Sequence, residues 1–173
     1  MRPLSIAFFI LFLLTSNLRA DSVIMATEPE MVASADYIAV VEFQSAERGA
    51  FKGPAAYPKQ KELVTRRFSR RVSARVIDNL KGKLPEKIQI YDWSGRWDAL
   101  VQNHLDRSKS DSGRYLIFLV GNVDFLTGAN GWASTSRITS EQIEWSIKPN
   151  FPDFKLVKLD EVLDRVQKQI EAK

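Results

Sequence analysis

The sequence predicts a mainly β domain with flanking helices. Short segments whose apolar residues alternate at period two recur along the chain, which is typical of strands with one wet face. Residues 36–43 and 114–120 are instead apolar at nearly every position and predict strands that are covered on both sides. Near the end of the chain the apolar residues follow helical spacing, which predicts a closing helix.

Composition limits the kind of protein this is. The 173 residues suit one domain with a true hydrophobic core. Lysine and arginine number 25 against 21 acidic residues, a net charge of +4. Cysteine is absent, which excludes disulfides, thiolate metal sites and a cysteine nucleophile. We therefore expect a domain stabilised by its apolar core, with no cofactor.

The first 20 residues resemble a secretory signal peptide. Arg2 precedes an apolar run over residues 4–14, and Ala20 is a small residue of the kind that signal peptidase prefers. The alternative is a membrane anchor, but the run is shorter than the roughly 20 residues that cross a bilayer. Cleavage leaves residues 21–173 as one domain with a net charge of +2, because Arg2 and Arg19 are removed. We expect a periplasmic or extracellular protein whose mature chain has no transmembrane span.

The mature chain begins with a short helix and a covered strand. Thr27 and Glu30 have the spacing of a capping box, which predicts a helix that ends near Ser34. The interior strand over residues 36–43 follows. Residues 46–61 contain two glycines, two prolines and no period, so we expect a long loop there.

A β-hairpin is the next predicted unit. Gly82 and Pro85 punctuate the turn over residues 79–85. Phe68 has the same parity as Val72 and Val76 but Arg70 breaks it, which predicts a bulge or a barrel bend at Arg70. The residues of the buried face are Val72, Ala74 and Val76 before the turn and Ile88 and Ile90 after it.

The second half of the chain alternates helix, strand and loop. Apolar spacing predicts a helix over residues 95–105, and a polar stretch over 106–113 predicts an exposed loop. After the interior strand, Gly128 and Gly131 predict another loop. Residues 132–138 and 143–147 then predict two more strands. The closing helix carries an apolar stripe of Leu159, Val162, Leu163, Val166 and Ile170.

This order of elements predicts a five-stranded Greek-key barrel of the OB type, followed by a C-terminal helix. Such barrels place a helix between the third and fourth strands, as the helix predicted over residues 95–105 would. The alternative is an open antiparallel sheet backed by helices.

Three stretches also resemble a known module. Residues 31–41, the turn 80–82 and the strand 113–119 are similar in order and spacing to the module shared by tissue inhibitors of metalloproteinases and netrin C-terminal domains. They resemble more closely secreted bacterial domains of the same pattern, most of which have no assigned activity. The resemblance implies an OB-type fold and export. The animal inhibitors chelate the protease zinc through an N-terminal cysteine, whereas the predicted N-terminus here is Asp21, so their inhibitory residues do not carry over.

The residues with catalytic potential form no recognisable site. His104 is the single histidine of the chain and lacks converging ligands in the sequence, so we expect no metal site and no catalytic residues. Two alternatives stay open. One is a hydrolase with an acidic site near Asp92 and Asp98, and the other is a cysteine-independent protease inhibitor that acts through the loop 46–61.

The strongest local signal is a basic strip on the second predicted strand. We expect a non-enzymatic module that contacts a protein or an anionic glycan or lipid headgroup through this strip and the loop 46–61. Export argues against nucleic acid. The alternative is a charged outer strand face that protects a sheet edge. The candidate binding residues are Lys59, Lys61, Arg66, Arg67, Phe68, Arg70, Arg71 and Arg75.

Overall fold

The computed structural model describes residues 26–52, 67–92, 113–132, 134–145 and 155–172. Within these ranges, eight strands form one sheet and two helices pack against it. The predicted signal segment and the helix predicted over residues 95–105 lie outside them. The elements are α1 (Glu28–Ser34), β1 (Tyr37–Lys52), β2 (Arg67–Lys81), β3 (Lys87–Asp92), β4 (Arg114–Asn122), β5 (Phe125–Trp132), β6 (Thr135–Thr139), β7 (Gln142–Trp145), β8 (Lys155–Lys158) and α2 (Leu159–Glu171).

Five of the strands close into a barrel. Their order around the ring is β1-β2-β3-β5-β4, and antiparallel pairing of β1 with β4 closes it. β3 and β5 pair in parallel through Ile90 and Leu126, while the other pairs are antiparallel. This is the OB-type Greek-key barrel that the sequence predicts, with the C-terminal helix in place. Strands β6, β7 and β8 continue from β4 as an antiparallel extension.

The fifth barrel strand is not where the sequence predicts it. Gly128 and Gly131, predicted to lie in a loop, belong to β5, and the predicted strand 132–138 corresponds to β6 outside the ring. The reason is that the β4–β5 turn uses no glycine. The side chain of Asn122 accepts hydrogen bonds from the backbone N–H groups of Asp124 and Phe125, at 3.1 and 3.0 Å.

The predicted loop 46–61 is wrong over its first seven residues. Residues 46–52 continue β1 and pair with residues 67–72 of β2. The predicted bulge at Arg70 is also displaced, because the register of β2 with β3 is continuous there. The irregularity lies on the facing strand, where β1 takes three steps from Arg48 to Phe51 and β2 takes two from Arg70 to Phe68. Residues 53–61 lie outside the described ranges.

Strand β4 and the first part of β1, residues 37–43, are covered on both sides, as their apolar sequences predict. Their inward side chains fill the barrel together with residues of β2, β3 and β5. Their outward side chains pack under α1, α2, β6 and β7 in a second hydrophobic core. The inward set is Ala39, Val41, Phe43, Tyr115, Ile117 and Leu119, and the outward set is Ile38, Val40, Leu116 and Phe118.

The turn after β2 is locked onto the entry to β1. The ammonium group of Lys81 donates to the carbonyl oxygens of Val32 and Ala35 at the end of α1, at 2.7 and 2.5 Å. Gly82 has φ +68°, and a Cβ there would lie 2.6 Å from the ring of Tyr37. This position therefore requires glycine for both conformation and space.

The two helices are joined by a partly buried ion pair. The Glu28 carboxylate accepts from the guanidinium of Arg165 at 3.0 Å and from the side-chain amide of Gln169 at 2.7 Å. Val162 and Val166 of α2 are fully buried, which confirms the predicted apolar stripe. In the described ranges, neither helix has the length and apolar character needed to cross a bilayer.

Candidate ligand-binding face

The outer face of β2 and β3 carries polar side chains where β1 and β4 carry apolar ones. In β2 and β3 the buried residues alternate with outward residues, as expected for strands with one face in solvent. The pairing aligns the outward residues across the two strands. The aligned pairs are Arg71 with Tyr91, Ser73 with Gln89, and Arg75 with Lys87.

A groove of about 460 Å³ crosses this face. One side is formed by Gln44, which lies at a register shift of β1 between Phe43 and Ser45. Asp124 of the β4–β5 turn forms part of its lining as well. The lining residues are Gln44, Ser73, Ala74, Lys87, Ile88, Gln89, Val123 and Asp124.

The turn that borders the groove is held in place by the barrel. The backbone N–H of Gly121 donates to the Asp36 carboxylate at 3.0 Å. Gly121 has φ +129°, and a Cβ there would lie 2.0 Å from the carbonyl oxygen of Phe125. Only glycine fits at this position. The hydrogen bond from Gly121 to Asp36 and the one from the Asp124 N–H to Asn122 together fix the position of Asp124 relative to the groove.

Two of the predicted basic residues are ion-paired across the strands. Arg71 donates to Glu47 and Arg75 donates to Glu42, each through two guanidinium nitrogens. Hydrogen bonding to these glutamates raises the pKa of both arginines above the usual arginine value. Both arginines therefore stay charged at every ordinary pH. The glutamates offset part of that charge, so the strip is less positive than its sequence suggests.

An aromatic cluster lies beside the groove. Tyr91 stacks on Phe125 with ring centroids 4.4 Å apart, and Phe68 meets Phe125 edge to face at 5.0 Å. The guanidinium carbon of Arg71 lies 5.1 Å from the ring centroid of Phe51. Phe68 is 1% exposed, so it serves this cluster and is not accessible to a ligand.

The remaining predicted site residues divide by their place in the chain. Arg70 is half-buried and pairs in register with Arg48 and Asp92. Arg67 belongs to β2, but its side chain and that of Asp92 lie outside the described part. The residues wholly outside the described ranges are Lys59, Lys61, Arg66, Asp98 and His104.

Sequence reasoning missed the residues that line the groove. Ser73 and Gln89 could have been found, because period two places both on the outer face of the predicted hairpin. Gln44 and Asp124 could not, since a register shift and a tight turn bring them to the groove.

The groove offers hydrogen bonds and isolated charges. Two primary amides and one hydroxyl supply neutral donors and acceptors, and Lys87 and Asp124 add one charge of each sign. Among the described residues, no three acidic or histidine side chains converge to hold a metal ion. The chain matches no family model and no curated protein in sequence.

Proposed function

We propose that this chain is an exported, non-enzymatic module that binds an acidic polysaccharide across the outer face of β2 and β3. The observation that carries the proposal is the groove of about 460 Å³, in which neutral hydrogen-bonding side chains lie beside Lys87 and next to the arginines of β2. The resemblance of the first 20 residues to a secretory signal peptide favours a ligand outside the cytoplasm.

The neutral side chains favour a sugar. Sugar hydroxyl groups both donate and accept hydrogen bonds, and Gln44, Ser73 and Gln89 can do the same. They come from three neighbouring strands, so the groove crosses the strands in the way an extended polymer needs. Barrels of the OB type use this strand face and the β4–β5 turn for oligosaccharides.

The flanking cations favour acidic groups at intervals along that sugar. Lys87 lies in the groove, and Arg71 and Arg75 point to the same face. A ligand carboxylate can replace Glu47 or Glu42 as the partner of its arginine, because all four side chains are accessible to solvent. A heavily sulfated polyanion would be repelled by these glutamates, so a polysaccharide with at most one carboxylate per sugar, such as polygalacturonate, fits better.

Two further observations support a binding role. Among the described lining residues, Asp124 is the single carboxylate, whereas most glycosidases need a pair of them.

The three stretches that resemble the inhibitor and netrin module contact one another in the fold. Residues 80–82 pack on the junction of α1 and β1, which pairs with the strand 113–119.

The proposal is tested by affinity chromatography on immobilised polygalacturonate, with dextran as the neutral matrix. We expect salt-sensitive retention on polygalacturonate that exceeds retention on dextran. The double variant Lys87→Gln and Gln89→Ala should elute at clearly lower salt with an unchanged melting midpoint.

The matched control removes one exposed cation from β8, Lys155→Gln, and should elute like the unmodified protein. Equal elution of the groove variant and the unmodified protein, or no retention on either matrix, would refute the proposal. Release of new reducing ends from the polysaccharide would refute the non-enzymatic assignment.

A further inference from the structure

A second cavity lies away from the proposed polysaccharide groove. It has a volume of about 610 Å³, within the range of small-molecule sites, and shares no lining residue with the groove. The start of β4, the β6–β7 turn and the junction of β8 with α2 form its walls. The lining residues are Arg114, Ser140, Glu141, Gln142, Lys158, Leu159 and Asp160.

The walls of this cavity are fixed by backbone contacts. The N–H of Leu159 donates to the carbonyl oxygen of Glu141 at 2.8 Å, which joins the start of α2 to the β6–β7 turn. Gln142 and Lys158 pair in register between β7 and β8. The cavity is therefore preformed, so a ligand does not have to order its walls.

Arg114 is the unusual residue of the cavity. Its Nε atom is buried and has no hydrogen-bond acceptor in the described part of the chain. Glu141 and Asp160 line the same cavity, yet neither forms an ion pair with it. A buried guanidinium nitrogen without an acceptor costs free energy. Because neither carboxylate of the cavity neutralises the Arg114 guanidinium, it is available to a carboxylate that a ligand brings into the cavity.

The charges of the lining identify the class of ligand. Arg114 and Lys158 are balanced by Glu141 and Asp160, so the cavity has no net charge. A phosphate dianion would meet two carboxylates and is disfavoured. A zwitterion satisfies both signs. We propose that the cavity binds a free α-amino acid, whose carboxylate pairs with Arg114 and whose ammonium group lies among the acidic residues.

The proposal is tested on the full-length protein by thermal shift and titration calorimetry against the twenty L-amino acids. We expect at least one amino acid to raise the melting midpoint in a saturable way. The matched acid without the ammonium group, and the matched amine without the carboxylate, should each bind at least about tenfold more weakly.

Variants locate the site. Arg114→Gln should weaken binding by about tenfold to a hundredfold, because a charged hydrogen-bonding partner is lost. Glu141→Gln should lower the affinity for the amino acid. It should also reduce the ratio between that affinity and the affinity for the matched acid without the ammonium group. The groove variant Lys87→Gln with Gln89→Ala should bind the amino acid normally, which separates this proposal from the polysaccharide site.

Three results would overturn the proposal. The first is an unchanged melting midpoint with every amino acid at 10 mM, which is about a hundredfold above a Kd of 100 μM. The second is an unchanged affinity for the amino acid in a folded Arg114→Gln variant. The third is binding of inorganic phosphate that is tighter than binding of any amino acid. If Arg114→Gln does not fold, amide chemical shifts of Ser140, Glu141 and Gln142 in the unmodified protein decide. Binding must move those signals, and a bound amino acid that leaves them unmoved would also overturn the proposal.

Discussion

The barrel has two walls whose inner faces are both apolar, but the outer face is apolar on one wall and polar on the other. The covered wall consists of residues 37–42 of β1 with β4, and the open wall consists of β2 with β3. Both contribute buried apolar residues to the barrel interior. Outside, the covered wall packs a second apolar core against the helices, whereas the open wall presents Ser73, Gln89 and a row of charges to solvent. The outer residues of the open wall are therefore free to serve a ligand, because folding does not depend on burying them.

The largest expected effect is on the covered wall. Phe118 is fully buried on the outer side of β4, and its ring lies edge to face with Trp145 at 6.4 Å. Phe118→Ala should lower the free energy of unfolding by about 3–5 kcal/mol, measured by urea denaturation. The open-wall control Gln89→Ala should change it by no more than about 0.5 kcal/mol. Similar losses in the two variants would erase the distinction between the walls.

The next effect is expected at Gly121, near the end of β4 and just before the β4–β5 turn. Gly121→Ala places a Cβ against the carbonyl oxygen of Phe125 and forces a side chain into a glycine conformation. We expect a loss of about 1–3 kcal/mol from the backbone conformation alone. The turn carries Asp124 of the groove, so retention on polygalacturonate should fall as well. Full retention in a destabilised protein would mean that the turn does not shape the site.

These two regions show how far sequence reasoning reaches. Continuous apolar runs identified both strands of the covered wall, and period two identified both strands of the open wall. The fifth barrel strand escaped because Gly128 and Gly131 lie within it, while its preceding turn contains no glycine. The groove escaped for a related reason. Gln44 lines the groove at a register shift of β1, and register depends on pairing with a distant strand and not on local composition.

A smaller effect is expected where the two helices close the covered wall. Glu28 is 9% exposed and binds both Arg165 and Gln169. Glu28→Gln keeps the size of the side chain but removes its charge, and should cost about 1–3 kcal/mol in urea denaturation. The matched control is Asp164→Asn, which breaks the exposed pair with Lys168 on the same helix and should cost at most about 0.5 kcal/mol. Equal costs would show that burial of the Glu28 network adds nothing.

The smallest effect on stability, and the most informative for function, is expected from the glutamates of the open wall. Glu47→Gln with Glu42→Gln removes the carboxylates that occupy Arg71 and Arg75. The melting midpoint should hardly move, because these pairs are exposed. These two ion pairs should also make the melting midpoint no more dependent on pH in the ordinary range. A raised arginine pKa stabilises the folded state at every pH below the ordinary arginine pKa, and that contribution is lost only in strong alkali.

Binding should respond in the opposite direction. With Glu47 and Glu42 neutral, Arg71 and Arg75 are available to ligand carboxylates, so the double variant should elute from polygalacturonate at higher salt than the unmodified protein. Retention on dextran should stay the same, because the neutral side chains of the groove are untouched. Unchanged elution from polygalacturonate would show that Arg71 and Arg75 belong only to the strand pairing. Lys87 would then be the residue that recognises the acidic groups of the ligand, and the rest of the groove would contact the neutral hydroxyl groups of the sugar.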